Sequence, residues 1–208
     1  RKVLKFKASC KTPEGYVSYP KLNQPDEYMG NKQYKADLRL DPKNPEVAEF
    51  ITEYEAWSDK VKVLQRSNLQ GAIDKLPANS ARPADKKNKA KLEGMLEDID
   101  GENYKSLIED EYDGEGQLTG YKIIKKKIKM NAEGTDSEGR PYTMEPKIYT
   151  ATGRVPLAEA PQITAGSTLR FNLDISTYEM PSSGYVGITA RLKDVLIVKI
   201  GQGGDAGG

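Results

Sequence analysis

The residues best suited to chemistry in this chain lie in one segment, GYKIIKKKIKM, at positions 120–130. Side chains alternate between the two faces of a β-strand. If the segment is a strand, its core side holds Ile124, Ile128 and Met130, with Lys126 turned inward near a barrel rim. Its opposite side holds one ring and three cations: Tyr121, Lys125, Lys127 and Lys129. Lysine neutralises phosphate and tyrosine stacks on bases, so this face predicts a nucleic-acid site. The alternative is that the lysines protect an exposed strand from aggregation.

The tyrosine content points the same way, because the chain has 12 tyrosines against 3 phenylalanines. Protein cores favour Phe and Leu, whereas surfaces that meet polar ligands favour Tyr. The candidate stacking residues, each within two positions of a lysine, are Tyr34, Tyr121 and Tyr149. Further candidates for phosphate contact are Lys35 and three arginines that lie opposite an apolar strand face, Arg39, Arg170 and Arg191.

Composition argues against catalysis. The sequence has no histidine and a single cysteine, Cys10, which removes the commonest general base and any thiolate metal cluster. It contains no G-x-x-x-x-G-K-[ST] loop, so a P-loop ATPase is excluded. Ten carboxylates crowd residues 93–115; a Mg²⁺-dependent nuclease is one hypothesis for them, but we predict a mobile, solvated acidic stretch. We therefore predict no enzyme activity, no cofactor and no metal site.

The predicted elements are two β regions on either side of a helical one. Residues 1–40 alternate as strands, with VLKFKA at 3–8, a second strand that stops at Pro20, a loop at 22–32 and a third strand at 33–40. Residues 41–112 have helical spacing, with Asn44 as N-cap, Pro45 at the first helical position and a second helix at about 88–99. Residues 120–200 return to β, with a hairpin loop at 132–142 and an irregularity at Lys193 and Asp194.

This layout predicts a mainly β fold, namely a five-stranded OB-type β-barrel with a helical, acidic insertion at about 44–115 between strands. A single domain is predicted to cover residues 1–200, and GQGGDAGG at 201–208 is predicted to be a flexible linker. No stretch of about 18 apolar residues occurs, so no membrane partner is expected.

The order of several segments resembles that of the phage single-stranded DNA-binding proteins, the group that includes the T7-type replication protein. GYVSYPKLNQPDE followed by QYKADLRL is similar to the opening of that family, and the helix that starts at NPEVAEF is similarly placed. GYKIIKKKIKM, PKIYTATGRVP and GITARLKDVLIVKIG then complete the pattern.

This resemblance implies an OB-fold whose cleft, lined by aromatic and basic residues, binds single-stranded DNA with little dependence on sequence. It also implies service in phage DNA replication and recombination, in the cytoplasm of the infected bacterial host, beside replication proteins such as a polymerase and a primase-helicase. The family's acidic C-terminal tail has no counterpart in GQGGDAGG, which holds one acidic residue. The other open hypothesis is a protein-interaction or virion scaffold module that uses the barrel without binding DNA.

Overall fold

The computed structural model describes residues 7–202, so most of the predicted strand at 3–8, and residues 203–208 of the predicted linker, lie outside the described residues. Within that range the chain forms 11 strands and 2 α-helices, with one short 3-10 helix at Leu157–Glu159. The strands are β1 (Lys7–Lys11), β2 (Gly15–Tyr28), β3 (Asn31–Leu40), β4 (Glu109–Tyr112), β5 (Leu118–Asn131), β6 (Glu133–Thr135), β7 (Pro141–Thr143), β8 (Lys147–Thr150), β9 (Gly153–Val155), β10 (Thr168–Met180) and β11 (Tyr185–Lys199). The helices are α1 (Pro45–Asp74) and α2 (Pro83–Asp98).

Nine strands form one sheet in the order β4-β5-β3-β2-β10-β11-β8-β9, with β1 paired to β10, and β6 pairs with β7 in a separate hairpin. The predicted mainly β fold is confirmed. Among the described residues the sheet runs as an open path from β4 to β9, and it holds more strands than the five predicted. One of the additional strands, β4, lies in the acidic stretch at 93–115.

The second predicted strand does not stop at Pro20, because β2 continues to Tyr28 and pairs with β3 along the way. Register shifts on either side of Lys21 absorb Pro20 and Pro25, which lack the N–H that a ladder hydrogen bond needs. The predicted loop at 22–32 is therefore the far end of a long hairpin.

Alternation of side chains sets the two faces of the sheet as predicted. The buried side of β3 holds Tyr34, Ala36, Leu38 and Leu40. Its outer side holds Gln33, Lys35, Asp37 and Arg39. Burial along β11 changes phase between Leu192 and Val195, which are both buried, so the predicted irregularity at Lys193 and Asp194 is confirmed. The outer side of β3 is thus left open to a ligand.

Helix α1 begins where its sequence predicts. The Glu46 N–H donates to the side-chain oxygen of Asn44 at 3.0 Å, and Pro45 needs no such acceptor because it has no N–H. Helix α1 continues to Asp74, and α2 starts at Pro83, before its predicted start at about residue 88. Between residues 7 and 202, no helix is long and apolar enough to cross a membrane.

The acidic segment at 93–115 contributes to regular structure at both ends. Its first residues complete α2, and β4 pairs with β5. Asp110 forms an ion pair with Lys122 at 2.6 Å, and Glu111 forms one with Arg39 at 2.8 Å. The prediction of a mobile, solvated stretch is therefore wrong for β4, because neighbouring strands offer it both backbone hydrogen bonds and cations.

The backbone divides into two compact units. Among the described residues, the helical unit holds 7–8, 52–106 and 176–189, and the sheet unit holds 9–51, 107–175 and 190–202. In the helical unit, the buried Gln65 accepts a hydrogen bond from the Tyr104 hydroxyl at 2.9 Å and donates one to the Gly187 carbonyl at 3.0 Å. In the sheet unit, the Gly201 N–H donates to the Ser167 hydroxyl at 2.9 Å, so the chain is anchored as far as the first residue of the predicted linker.

Candidate nucleic-acid interface

A bulge in β5 decides which of its lysines face outward. Ile124 and Ile128 are both buried, yet they pair with β3 residues that are only two positions apart. The extra residues loop out at Lys126, whose φ is 58° and whose N–H donates to Asp37 Oδ1 at 2.8 Å. The prediction that Lys126 points inward is wrong, because the bulge releases this residue from the regular pairing of β5 with β3. Lys126 is exposed and Lys127 is half-buried.

Residues of β2, β3 and β5 surround an open cavity of about 530 Å³, which we call the lysine cavity. Five lysines line it: Lys21, Lys35, Lys125, Lys126 and Lys129. Its other lining residues are Tyr19, Asp26, Gln33, Ala36, Asp37 and Ile128. The structure therefore brings together three of the predicted site residues, Lys35, Lys125 and Lys129, and all of the lining lies within the sheet unit.

Positive charge predominates in the lysine cavity, because five lysines face two carboxylates. Asp26 and Lys35 form an ion pair at 2.5 Å, and the hydrogen bond from Lys35 lowers the pKa of Asp26 below its ordinary 3.8. Asp37 is held by the backbone of the bulge at Lys126. The remaining lysines of the cavity can therefore attract and neutralise an anion such as a phosphate.

Tyr19 places an exposed ring at the cavity. Its side chain is 73% exposed, and its φ of 49° is left-handed, which is costly for a residue with a Cβ. It lies at the register shift that lets β2 pass Pro20. A solvent-exposed aromatic ring beside lysines offers a surface on which a base can stack.

A second aromatic group lies farther along the outer face of β3. The guanidinium of Arg39 lies 4.8 Å from the centre of the Tyr121 ring. Glu111 pairs with Arg39 and also accepts a hydrogen bond from the Thr119 hydroxyl at 2.7 Å, with only 12% of its side chain exposed. The exposed Tyr16 is the cross-strand partner of Arg39, so the two side chains share a face.

At the other end, a smaller groove of about 270 Å³ follows the β2–β3 hairpin, and we call it the hairpin groove. It is lined by Asp26, Tyr28, Asn31, Gln33 and Lys35. Asp26, Gln33 and Lys35 line the lysine cavity as well, so the two concavities are continuous.

The remaining predicted site residues lie elsewhere. Tyr34 is 7% exposed on the core side of β3, where its ring is closed to a base, and burial raises its pKa. Tyr149 and Arg170 line a separate cavity of about 300 Å³, and Arg170 is held by Glu46 and by Glu14.

Arg191 lies on the exposed side of β11, 3.4 Å from Asp174. Neither Arg191 nor Arg170 lines the lysine cavity.

Tyr19 and Lys21 were not predicted as site residues, because the second strand was predicted to stop at Pro20. A usable signal was present in the segment VSYPK, where a tyrosine and a lysine flank a proline within an otherwise alternating run. Lys126 was missed for a different reason, since a bulge within three consecutive lysines leaves no trace in the pattern.

The fold is similar to that of the single-stranded DNA-binding proteins of bacteriophages. One such structure is that of gp2.5, a single-stranded DNA-binding protein encoded by bacteriophage T7, with a TM-score of 0.63 and 15% identity over 97% of this chain and 92% of that one. Another is the single-stranded DNA-binding protein from bacteriophage Enc34 in complex with ssDNA, with a TM-score of 0.51 and 15% identity over 95% of this chain and 89% of that one. No protein-family model and no curated sequence relative matches the chain. At such low identity it is the fold that is shared, and the resemblance predicted from the sequence is confirmed at that level.

Proposed function

We propose that this chain binds single-stranded DNA with little dependence on sequence, as a binding protein without catalytic activity. The observation that carries the proposal is the lysine cavity, with its five lysines and the exposed ring of Tyr19 on a sheet face. Lysines neutralise phosphates of any sequence, and every base has a π-face that a tyrosine can stack on. The similarity of the fold to phage single-stranded DNA-binding proteins supports the same function.

The chemistry of the cavity favours single strands over duplex. Stacking needs an unpaired base, which a duplex does not present. Reading a duplex sequence needs side chains that reach base edges in a groove, usually from a helix or a β-ribbon. The cations of the lysine cavity are lysines, which act as point charges. They lack the planar guanidinium group with which arginine makes paired hydrogen bonds to guanine.

We also propose that the sheet is an elaborated OB-type barrel. The run β10-β2-β3-β5 places the fourth strand beside the first, which is the spatial order 4-1-2-3 of a Greek key. β11 follows β10 as the fifth strand, and an OB-fold is a partly open, five-stranded Greek-key barrel. In that frame, α1, α2 and β4 form the insertion between the second and third barrel strands.

The biological setting that we propose is phage DNA replication and recombination in the cytoplasm of an infected bacterium. The support for it is the phage origin of the structurally similar proteins. In that setting, replication proteins such as a polymerase and a primase-helicase are the expected protein partners. Co-purification from infected cells, with and without nuclease treatment, would separate direct protein contacts from contacts made through DNA.

The test of binding is a competition experiment. Fluorescence anisotropy of a labelled oligo-dT is measured with unlabelled oligo-dT, mixed-sequence single strand and duplex as competitors, at several salt concentrations. We expect both single strands to compete at similar concentrations, the duplex to compete poorly, and the affinity to fall steeply with salt. Binding that favours the duplex would refute the proposal. No binding at low salt would refute it as well and would leave the scaffold hypothesis.

A further inference from the structure

The turn that closes the β2–β3 hairpin contains an unfavourable residue. Met29 and Gly30 connect the strands, and their φ angles are 50° and 79°, so both are left-handed. Two-residue hairpin turns with two positive φ angles are of type I′, in which Asn, Asp and Gly are preferred at the first position. A methionine there strains the backbone without any compensating hydrogen bond from its side chain, since its thioether is at most a weak acceptor.

The strained residue is also apolar and exposed. Met29 is 83% exposed, and the adjacent Tyr28 is 72% exposed. Tyr28 lines the hairpin groove, which shares Asp26, Gln33 and Lys35 with the lysine cavity. A strand of DNA held in the lysine cavity therefore has a continuous path along the outer face of the hairpin to its tip.

Backbone strain of this kind is concentrated along that path. Between residues 7 and 202, the non-glycine residues with positive φ are Tyr19, Met29 and Lys126. Tyr19 and Lys126 line the lysine cavity, and Met29 lies at the end of the hairpin groove. Residues held in left-handed conformations cluster at ligand-binding sites. Such a conformation costs stability, and it is retained where it serves binding.

We propose that Tyr28 and Met29 form a second contact zone for single-stranded DNA, in which a base beyond the lysine cavity stacks on the tyrosine ring and packs against the thioether. The inference rests on the proposed function and adds to it the direction in which the strand leaves the cavity. Sulfur and aromatic groups are polarisable and suit the face of a base.

The experiment compares the parent with Met29→Asn and with Tyr28→Ser, and uses Tyr185→Ser, an exposed tyrosine of the helical unit, as the matched control. Affinity is measured for oligo-dT from about 4 to about 16 nucleotides, the range of site sizes for one OB-fold. Melting temperature is measured for every variant.

For the tip variants, we expect unchanged affinity on the shortest oligomers that the parent binds. On the longest oligomers we expect a loss of about 5- to 150-fold, the equivalent of one stacked base. Met29→Asn is expected to melt no lower than the parent, because Asn tolerates the left-handed turn. A loss that is equal at every length, or no loss at any length, would overturn the inference while leaving the proposed function standing. Failure of the parent to bind any oligomer would instead refute the proposed function itself.

Discussion

Removing lysines from the cavity tests the electrostatic part of the account. The change is a triple variant of Lys21, Lys125 and Lys129 to Ala, which leaves the strained backbone at Lys126 untouched. Each phosphate contact with a single strand contributes about 0.7 to the slope of log affinity against log salt, so three lost contacts lower the slope by about 2. Over a fourfold rise in salt, the triple variant should therefore lose roughly 16-fold less affinity than the parent does. The assay is the anisotropy titration with oligo-dT, repeated at each salt concentration.

The matched control removes the same charge from the helices, with Lys60, Lys86 and Lys87 changed to Ala; these three lysines are exposed and lie outside the lysine cavity. Its salt slope should equal that of the parent. The separate variant Lys127→Ala should also leave the slope unchanged, contrary to the prediction from sequence. An unchanged slope in the cavity variant would refute the reasoning, because these lysines would then make no phosphate contact. An equal change in the helix control would also refute it, because the charge would then act only through the net charge of the protein.

The other predictions concern single side chains around the same face. Tyr19→Ala should weaken binding by about 1–3 kcal/mol, the cost of one lost stacking contact, with a melting temperature close to that of the parent. Glu111→Gln should free Arg39 and raise affinity for oligo-dT at low salt, and this gain should fade as salt rises; a loss of affinity at low salt would contradict it. Asp26 has a lowered pKa, so it stays ionised until the pH falls below its ordinary 3.8, and DNA affinity should rise only there. Asp26→Asn should give higher affinity at neutral pH and a smaller rise in acid than the parent shows, as measured by anisotropy across pH.

The regularity of each strand decided how much of this site could be predicted from the sequence. Alternation in β3 is unbroken, so the outward direction of Lys35 and Arg39 followed directly from the pattern. The same alternation placed Tyr34 inward, and its choice as a stacking residue came from composition rather than from its face. Charge near a tyrosine in sequence does not determine which side of a strand the ring occupies.

The irregular positions could not be predicted, because they depend on partners distant in sequence. The bulge at Lys126 is stabilised by Asp37, which lies 89 residues away. Likewise, β4 forms because Asp110 and Glu111 meet cations of other strands, and nothing within the acidic run itself favours a strand. The continuation of β2 past Pro20 depends on register shifts against β3. Local propensity predicted the regular strands, and tertiary pairing produced the features that shape the cavity.

Protection of lysines from acylation, measured by mass spectrometry with and without saturating oligo-dT, tests the central claim most directly. A bound strand excludes the reagent from the lysines that it contacts. We expect Lys21, Lys125 and Lys129 to lose reactivity in the complex, whereas Lys60 and Lys86 on the helices react as in the free protein. Protection of the helical lysines together with full reactivity of the cavity lysines would contradict it.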